Sequence, residues 1–341
     1  MNLNSKTIQQ ILGYEKHVID SKTSYFRPKN GKTQSFAEEI SSSLSQDRKS
    51  LHPKFFYDKK GSQLFEKICS LPEYYLARTE IKILKKLGKD LKNHLESNVR
   101  LVELGSGSSK KTRLILDVLS SIQDRVEYFP IDISDIIKKS SKELHQLYSN
   151  LQITGIIDTY ENALEFISHY DDKQNLIAFL GSSFGNFEQD EGIQFLHKVN
   201  SVMKKNDLFL IGLDLVKEKS ILEKAYDDSQ GITAQFNLNV LERINGELDA
   251  NFDLKNFSHL ALYNDKKQRI EMYLHSTKKQ TVQITKTNLS LQLEKGELIH
   301  TENSHKYTIP QIQDMLEKTG FKIKQIWQDD KNHYAMVLCH L

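Results

Sequence analysis

The segment LVELGSGSSKKT, residues 101–112, joins a short apolar run to a helical one through Gly105-Ser106-Gly107. Glycine lacks a side chain, so such a turn lets backbone N–H groups approach a ligand closely. A dinucleotide fingerprint carries a third glycine and seats pyrophosphate on the helix N-terminus. Here that position is Lys110, and Glu103 precedes the turn. A carboxylate there suits a cationic or hydroxyl-bearing ligand better than pyrophosphate. S-adenosylmethionine, a sulfonium cation without phosphate, meets that description better than a nicotinamide dinucleotide does. Taken alone, a G-x-G turn is equally an ordinary strand–loop–helix connection.

Three more segments carry polar groups at strand ends. PIDIS places Asp132 at a carboxyl tip, where an acidic residue can accept both ribose hydroxyls. It could instead cap the next helix, a task Ser134 or Asp135 could also perform. Tyr160-Glu161-Asn162 follows the third strand, where an adenine would sit, or forms an exposed loop. FLGSSFGNF, residues 179–187, sets Asn186 where an acceptor would approach a methyl donor; a left-handed Asn in a Gly-rich turn is the alternative. Upstream, Tyr57, Tyr74 and Tyr75 stand beside Phe55 and Phe56, a density that by composition alone reads as core.

The elements that must position these groups follow from periodicity. Leu64, Phe65, Ile68 and Leu71 recur at helical spacing until Pro72. From about residue 79 to 216, strands alternate with helices of roughly 10–15 residues, which predicts right-handed crossovers and a mostly parallel sheet. The rhythm then stops. Residues 225–254 read as helix broken at Gly231 and at an Asn245–Gly246 turn. LALYNDKKQRIEMYLHSTKKQTVQI reads as an antiparallel hairpin with its turn at Asn264–Gln268. LSLQLEKGELIHTENSHKYT adds strand around a turn at Lys295–Gly296, and the C-terminal segment reads helix, strand, strand. The expected organisation is an α/β domain over 79–216 and 307–341. A second α+β unit is expected from 1–78 and 217–306.

Composition excludes several classes. The 341 residues carry 47 Lys+Arg against 45 Asp+Glu, a net charge of +2, so a general phosphate-binding surface is not expected and neither is a nucleic-acid partner. No apolar run reaches the roughly 18–20 residues of a membrane span. MNLNSKTIQQ has no basic start with an apolar core, so no secretory leader is expected. The two cysteines, Cys69 and Cys339, exclude a disulfide framework and fit a reducing cytoplasm. The 12 histidines show no metal-binding spacing, so no metal is expected.

Several segments, in order, resemble the histidine-specific, S-adenosylmethionine-dependent N-alpha-methyltransferases of ergothioneine biosynthesis. They are FFYDKKGSQLFEKICSLPEYYLARTE, LVELGSGSSKKT, PIDIS, FLGSSFGNF, AYDDSQGITAQFNLNVLERIN, IEMYL and TENSHKYT. The likeness runs from about residue 52 to the end. It implies a class I methyltransferase fold, an α/β Rossmann-like domain with a second α+β substrate-binding domain. It also implies a cytoplasmic enzyme, here expected as a monomer, with L-histidine as substrate. Gly105, Lys111, Asp132 and the pair Glu161–Asn162 fall where the family binds the methyl donor. That pair departs from the family's usual Asp plus an apolar or small residue. The resemblance implies that Asn186 and Tyr57 hold the α-amine at the reacting centre, and that Tyr74 and Tyr226 take the α-carboxylate. Glu302 and Ser304 would read the imidazole, with Met272 packed nearby. Read as residues alone, Tyr74 and Tyr226 are equally packing tyrosines, and Glu302 a surface carboxylate. The competing readings are the same fold methylating another amino acid or amine, a non-catalytic sensor of donor or histidine, and a nicotinamide oxidoreductase; Glu302, Ser304 and Met272 count against the first, intact Asn186 and Tyr57 against the second, Lys110 against the third.

Overall fold

The computed structural model describes residues 13–29, 35–107, 109–133, 136–171 and 173–341. The capping residues weighed for Asp132's neighbourhood, Ser134 and Asp135, lie outside the described residues. The central strands are β3 (Val99–Leu104), β4 (Val126–Asp132), β5 (Leu151–Ile157), β6 (Gln174–Phe179) and β7 (Leu208–Asp214). Strands β3, β6 and β7 are buried along their whole length, which explains their continuous apolar runs: helices cover both faces of a parallel sheet.

All five are parallel in the order β5-β4-β3-β6-β7, with the order reversing at β3. Strand β14 (Tyr334–His340) adds antiparallel to β7, and β13 (Lys322–Gln328) closes that edge. This is the doubly wound, Rossmann-like α/β fold expected, and its ligand crevice lies at the carboxyl ends of the strands beside the reversal. The opposite edge holds a surprise. β1 (Tyr14–Val18) and β2 (Thr23–Pro28) form a hairpin, and β2 pairs parallel with β5. Residues 14–28, assigned from sequence to the second unit with the rest of 1–78, are therefore strands of the large sheet. Their alternation is polar, as an edge strand permits, and it carries little core signal.

Helix α1 (Phe36–Leu44) opens with a Ser35–Glu38 capping box. Helix α2 (Lys59–Ile68) is capped by Asp58, whose Oδ1 accepts from the Gly61 N–H at 2.6 Å. Helix α3 (Tyr75–Leu91) packs on the sheet and contributes to the second unit at its start. Helices α4 (Thr112–Ser120), α5 (Ile136–Leu147), α6 (Tyr160–Ser168) and α7 (Gln189–Val202) alternate with the parallel strands.

Between β7 and the C-terminal elements the chain builds α8 (Lys219–Tyr226) and α9 (Ile232–Leu248), then a separate sheet. That sheet runs β12 (Leu298–His305), β9 (Arg269–Ser276), β8 (Phe257–Asn264), all antiparallel, with β10 (Gln280–Ile284) and β11 (Leu289–Leu293) as a side hairpin. The Asn245–Gly246 turn expected from sequence is absent: both residues lie inside α9. Gly246 costs such a helix about 1 kcal/mol relative to Ala. Asn245 offsets this by bonding the Phe252 carbonyl and N–H at 2.7 and 2.8 Å, which folds the following loop onto the helix end. Helix α10 (Ile309–Lys318) then returns the chain to the large sheet. Two apolar cores line the faces of the large sheet, and a third joins α1, α2 and the start of α3 to the 217–306 insertion. Among the described residues no helix is long and apolar enough to cross a membrane.

Candidate active site

The glycine turn after β3 has the geometry its composition predicts. Gly105 and Gly107 adopt φ of +73° and +46°, the left-handed region that penalises any side chain. The Gly105 N–H bonds the Ile131 carbonyl at 2.8 Å, tying the turn to β4 just before Asp132. A Cβ on Gly105 would lie 2.9 Å from the Tyr160 hydroxyl. Burial raises the pKa of that phenol, with the charges of Asp132 and Glu161 adding to the effect. Of the trio Tyr160-Glu161-Asn162 named from sequence, Tyr160 is the one against the glycine turn. Thr159 caps α6, so Tyr160 occupies its first turn against the glycine loop, while Glu161 and Asn162 are exposed. The Asn162 amide bonds Asp158 at 3.1 Å. The structure thus brings Gly105, Asp132 and Tyr160 together, with the Glu161 and Asn162 side chains exposed beside them.

Lys111 is placed by Glu80, a fully buried residue of α3. Its Nζ lies 2.9 Å from Glu80 Oε2. Burial disfavours the ammonium, but Glu80 outweighs it and the pKa stands above the ordinary lysine value. The other Glu80 oxygen accepts from the Gly181 N–H at 2.7 Å and the Tyr334 hydroxyl at 2.8 Å. One carboxylate therefore fixes Lys111 and the loop after β6 together. Glu103, expected to face a cationic ligand, is 2 % exposed. Its Oε2 accepts from the Thr112 and Tyr128 hydroxyls at 2.7 and 2.5 Å, so it ties β3 to α4 and β4. Burial lifts its pKa to about 7.

A nucleoside-bearing sulfonium fits these residues. Ser106, inside the glycine turn, has a buried hydroxyl without a hydrogen-bond partner in the protein. Such a group is costly unless a ligand or water satisfies it. The turn with no Cβ, the Asp132 carboxylate and the Tyr160 ring supply the rest of a cradle.

A cavity opens beside Gly181. Tyr57, Tyr74, Asn186, Tyr226, Met272, Glu302 and Ser304, all seven residues named for the substrate, line it together with Phe65, Thr233 and Phe236. The seven come from six places in the chain. Tyr57 precedes α2 and packs edge-on to Phe65 and Phe236. It is 39 % exposed and marks the mouth. Tyr74 precedes α3 and meets Tyr226, the last residue of α8, in a T-shaped contact at 6.2 Å. Asn186 ends a single 3-10 turn, Ser183–Asn186, which sits against β12. A Cβ at Gly185 would come 2.9 Å from the His305 carbonyl, so this glycine sets the close approach. Glu302 and Ser304 are two residues apart on β12 and so share a face. Met272 is the cross-strand partner of Glu302.

Glu302 is 9 % exposed, and no described residue makes a hydrogen bond to its carboxylate. Burial raises its pKa to about 7, against the opposing pull of Lys306. A buried carboxyl that opens only into a cavity is suited to receive an N–H from a ligand. Tyr226 and Ser304 hydroxyls are bonded to each other at 2.7 Å.

Comparison with known proteins decides what kind of protein carries this cradle and this cavity. The model of the family described as "Histidine-specific methyltransferase, SAM-dependent" matches residues 36–341. The chain belongs to that family. The histidine N-alpha-methyltransferase of Mycobacterium tuberculosis is 36 % identical over 301 residues, 88 % of this chain and 93 % of that protein. The Mycolicibacterium smegmatis protein of the same name is 35 % identical over the same shares. Ergothioneine biosynthesis protein 1 of Schizosaccharomyces pombe is 30 % identical over 87 % of this chain, which corresponds to 39 % of that longer protein. Membership makes the chain an S-adenosylmethionine-dependent methyltransferase. Among the described residues no group of three or more His, Cys, Asp or Glu is placed to hold a metal ion.

Proposed function

We propose that this enzyme transfers three methyl groups from S-adenosylmethionine to the α-amine of L-histidine. The product is N-alpha-trimethylhistidine, and the reaction is the first step toward ergothioneine. The observation that carries the reading is Glu302. Its carboxyl is buried, faces the cavity and lacks a partner, as an imidazole N–H reader requires.

The donor supplies an electrophilic methyl carbon; the chain's own residues bind and orient. Gly105, Asp132, Tyr160 and Lys111 are assigned to the donor. Glu161 and Asn162 are exposed, so Tyr160 is the better candidate for the adenine side. Asn186 and Tyr57 are assigned to the amine, which must be neutral and aimed along the line of displacement. Such a transfer asks little covalent work of the protein, so holding this geometry supplies most of the rate. Tyr74 and Tyr226 hydroxyls are assigned to the α-carboxylate, and Glu302 with Ser304 to the ring. The aromatic walls at Tyr57, Tyr74 and Phe236 accommodate an amine that becomes permanently cationic, through attraction between cation and ring face.

The division into an α/β unit for the donor and an insertion for the acceptor is part of this reading, as is a monomeric state, which gel filtration tests. Incubation with histidine and donor, followed by mass spectrometry, tests the activity. Stepwise gains of one, two and three methyl groups on histidine are expected. Methylation of other amino acids in preference to histidine would sink the proposed acceptor, and no methylation at all would sink the enzyme.

A further inference from the structure

Behind the acceptor cavity lies a buried charge cluster that the proposed reaction does not use. Lys306, at the end of β12, has no exposed surface. Its Nζ donates to Asp214 Oδ2 at 2.9 Å, to Ser304 Oγ at 2.7 Å and to the Tyr226 hydroxyl oxygen at 3.0 Å. An ammonium has three N–H groups and no acceptor, so all three are accounted for. Asp214, at the tip of β7, also holds Lys217 Nζ at 2.6 Å and the Tyr75 hydroxyl at 2.7 Å. The carboxylate that anchors Lys306 is therefore anchored from three sides.

Counting protons gives this arrangement a direction. Lys306 donates to both hydroxyl oxygens, and the two hydroxyls are themselves bonded at 2.7 Å. One of the two O–H groups is used on the other. The remaining O–H belongs to the cavity that both residues line. An ammonium bonded to a hydroxyl oxygen polarises it and makes its proton a stronger donor. The pair thus offers the ligand one strengthened donor, and a ligand acceptor is the group that fits it.

We propose that Lys306 is a positioning residue of the acceptor cavity, fixing the Tyr226–Ser304 pair so that it offers one donor to the ligand and the amine accepted must also carry a carboxylate. This rests on the histidine reading, in which Tyr226 faces the α-carboxylate, and assigns the requirement for that group to a residue outside the cavity lining.

The test compares histidine with histamine, the same amine without the carboxylate, in the full-length wild type, Lys306→Met and Lys306→Gln. Removing Lys306 leaves Asp214 paired with Lys217 and Tyr75, so the methionine variant does not strand a buried carboxylate. The expected result for Lys306→Met is a KM for histidine raised about tenfold or more, the size of one lost charge-assisted hydrogen bond. The preference for histidine over histamine should shrink by a similar factor, while kcat for histidine falls less and donor affinity by calorimetry stays unchanged. Lys306→Gln retains amide N–H donors and should keep an intermediate preference; it carries the test if the methionine variant does not fold. An unchanged preference in a folded variant overturns the proposal. So does an equal loss for both amines accompanied by lost donor affinity, which is what a merely structural residue would give. A wild type inactive on histidine but active on another amino acid would instead overturn the histidine reading, and requires no variant to detect.

Discussion

Glu302 and Met272 stand opposite each other across the β12–β9 ladder, directly after the register shift between His300 and Glu302. Directly paired antiparallel residues bring their Cβ atoms within about 4.5–5.5 Å. The carboxyl and the thioether therefore form one wall of the cavity, and their sizes must be changed together.

Glu302→Ala combined with Met272→Val widens that wall and removes the carboxyl proposed to read the ring. Activity on histidine should fall about 10- to 100-fold in kcat/KM, the range of a hydrogen bond to a charged group. Relative activity on a larger aromatic amino acid such as tryptophan should rise. Steady-state kcat/KM for both amino acids checks this, and an unchanged preference for histidine removes Glu302 from acceptor choice.

Asp132→Ala should weaken donor binding by about 1.5–3 kcal/mol. Calorimetric titration with donor and, separately, with histidine checks it. Histidine affinity should hold, because Asp132 lies on the β4 tip and outside the acceptor cavity lining.

Gly105→Ala forces a side chain into φ +73° and toward the Tyr160 hydroxyl. The conformation alone costs about 1–2 kcal/mol. Unfolding by denaturant should show that loss, and donor affinity should fall with it. An alanine variant that binds donor normally would mean the turn does not form the donor floor.

The Glu302 carboxyl sets a pH dependence. Its pKa is raised from 4.5 to about 7 by burial, so the folded chain holds the proton more tightly than the unfolded chain does. The stability this contributes is complete below the unfolded value and is lost as pH rises through about 7. Glu302→Gln stays neutral. In the absence of ligand it should equal wild type near pH 4.5 and exceed it at pH 8 by about 2–3 kcal/mol. Denaturant midpoints at the two pH values check this. A constant difference would show that ionising Glu302 costs the fold nothing.

The parts legible from sequence share one property: local pattern and tertiary role agreed. VRLVELG announced a buried strand followed by a glycine turn, and FLGSSFGNF a strand with its loop. The hairpin at residues 14–28 escaped because its side chains are polar and its place is decided by hydrogen bonds to β5, over 120 residues away. Asn245–Gly246 misled because turn residues were held in α9 by contacts to Phe252. Tyr160 was named with Glu161 and Asn162 but not ranked above them, because one helical position decides which side chain meets the glycine turn. Lys306 lies within TENSHKYT, yet nothing in that segment tells what it touches; only the fold brings it within 3 Å of Asp214.

The path of the chain at Leu215 and Tyr307 has a consequence for how such proteins can be altered. These residues form a parallel bridge: the Tyr307 N–H donates to the Asp214 carbonyl and the Val216 N–H to the Tyr307 carbonyl, both at 3.0 Å. The chain thus departs from the large sheet and comes back to it at one point, whatever is built in between. Segments bounded by such a pinch can be exchanged as cassettes, because closing the loop depends only weakly on its length. Transplanting residues 217–306 between relatives should preserve the donor half while importing a new floor for the acceptor. Tyr57 and Tyr74 lie outside the cassette, so the wall they form would remain that of the recipient.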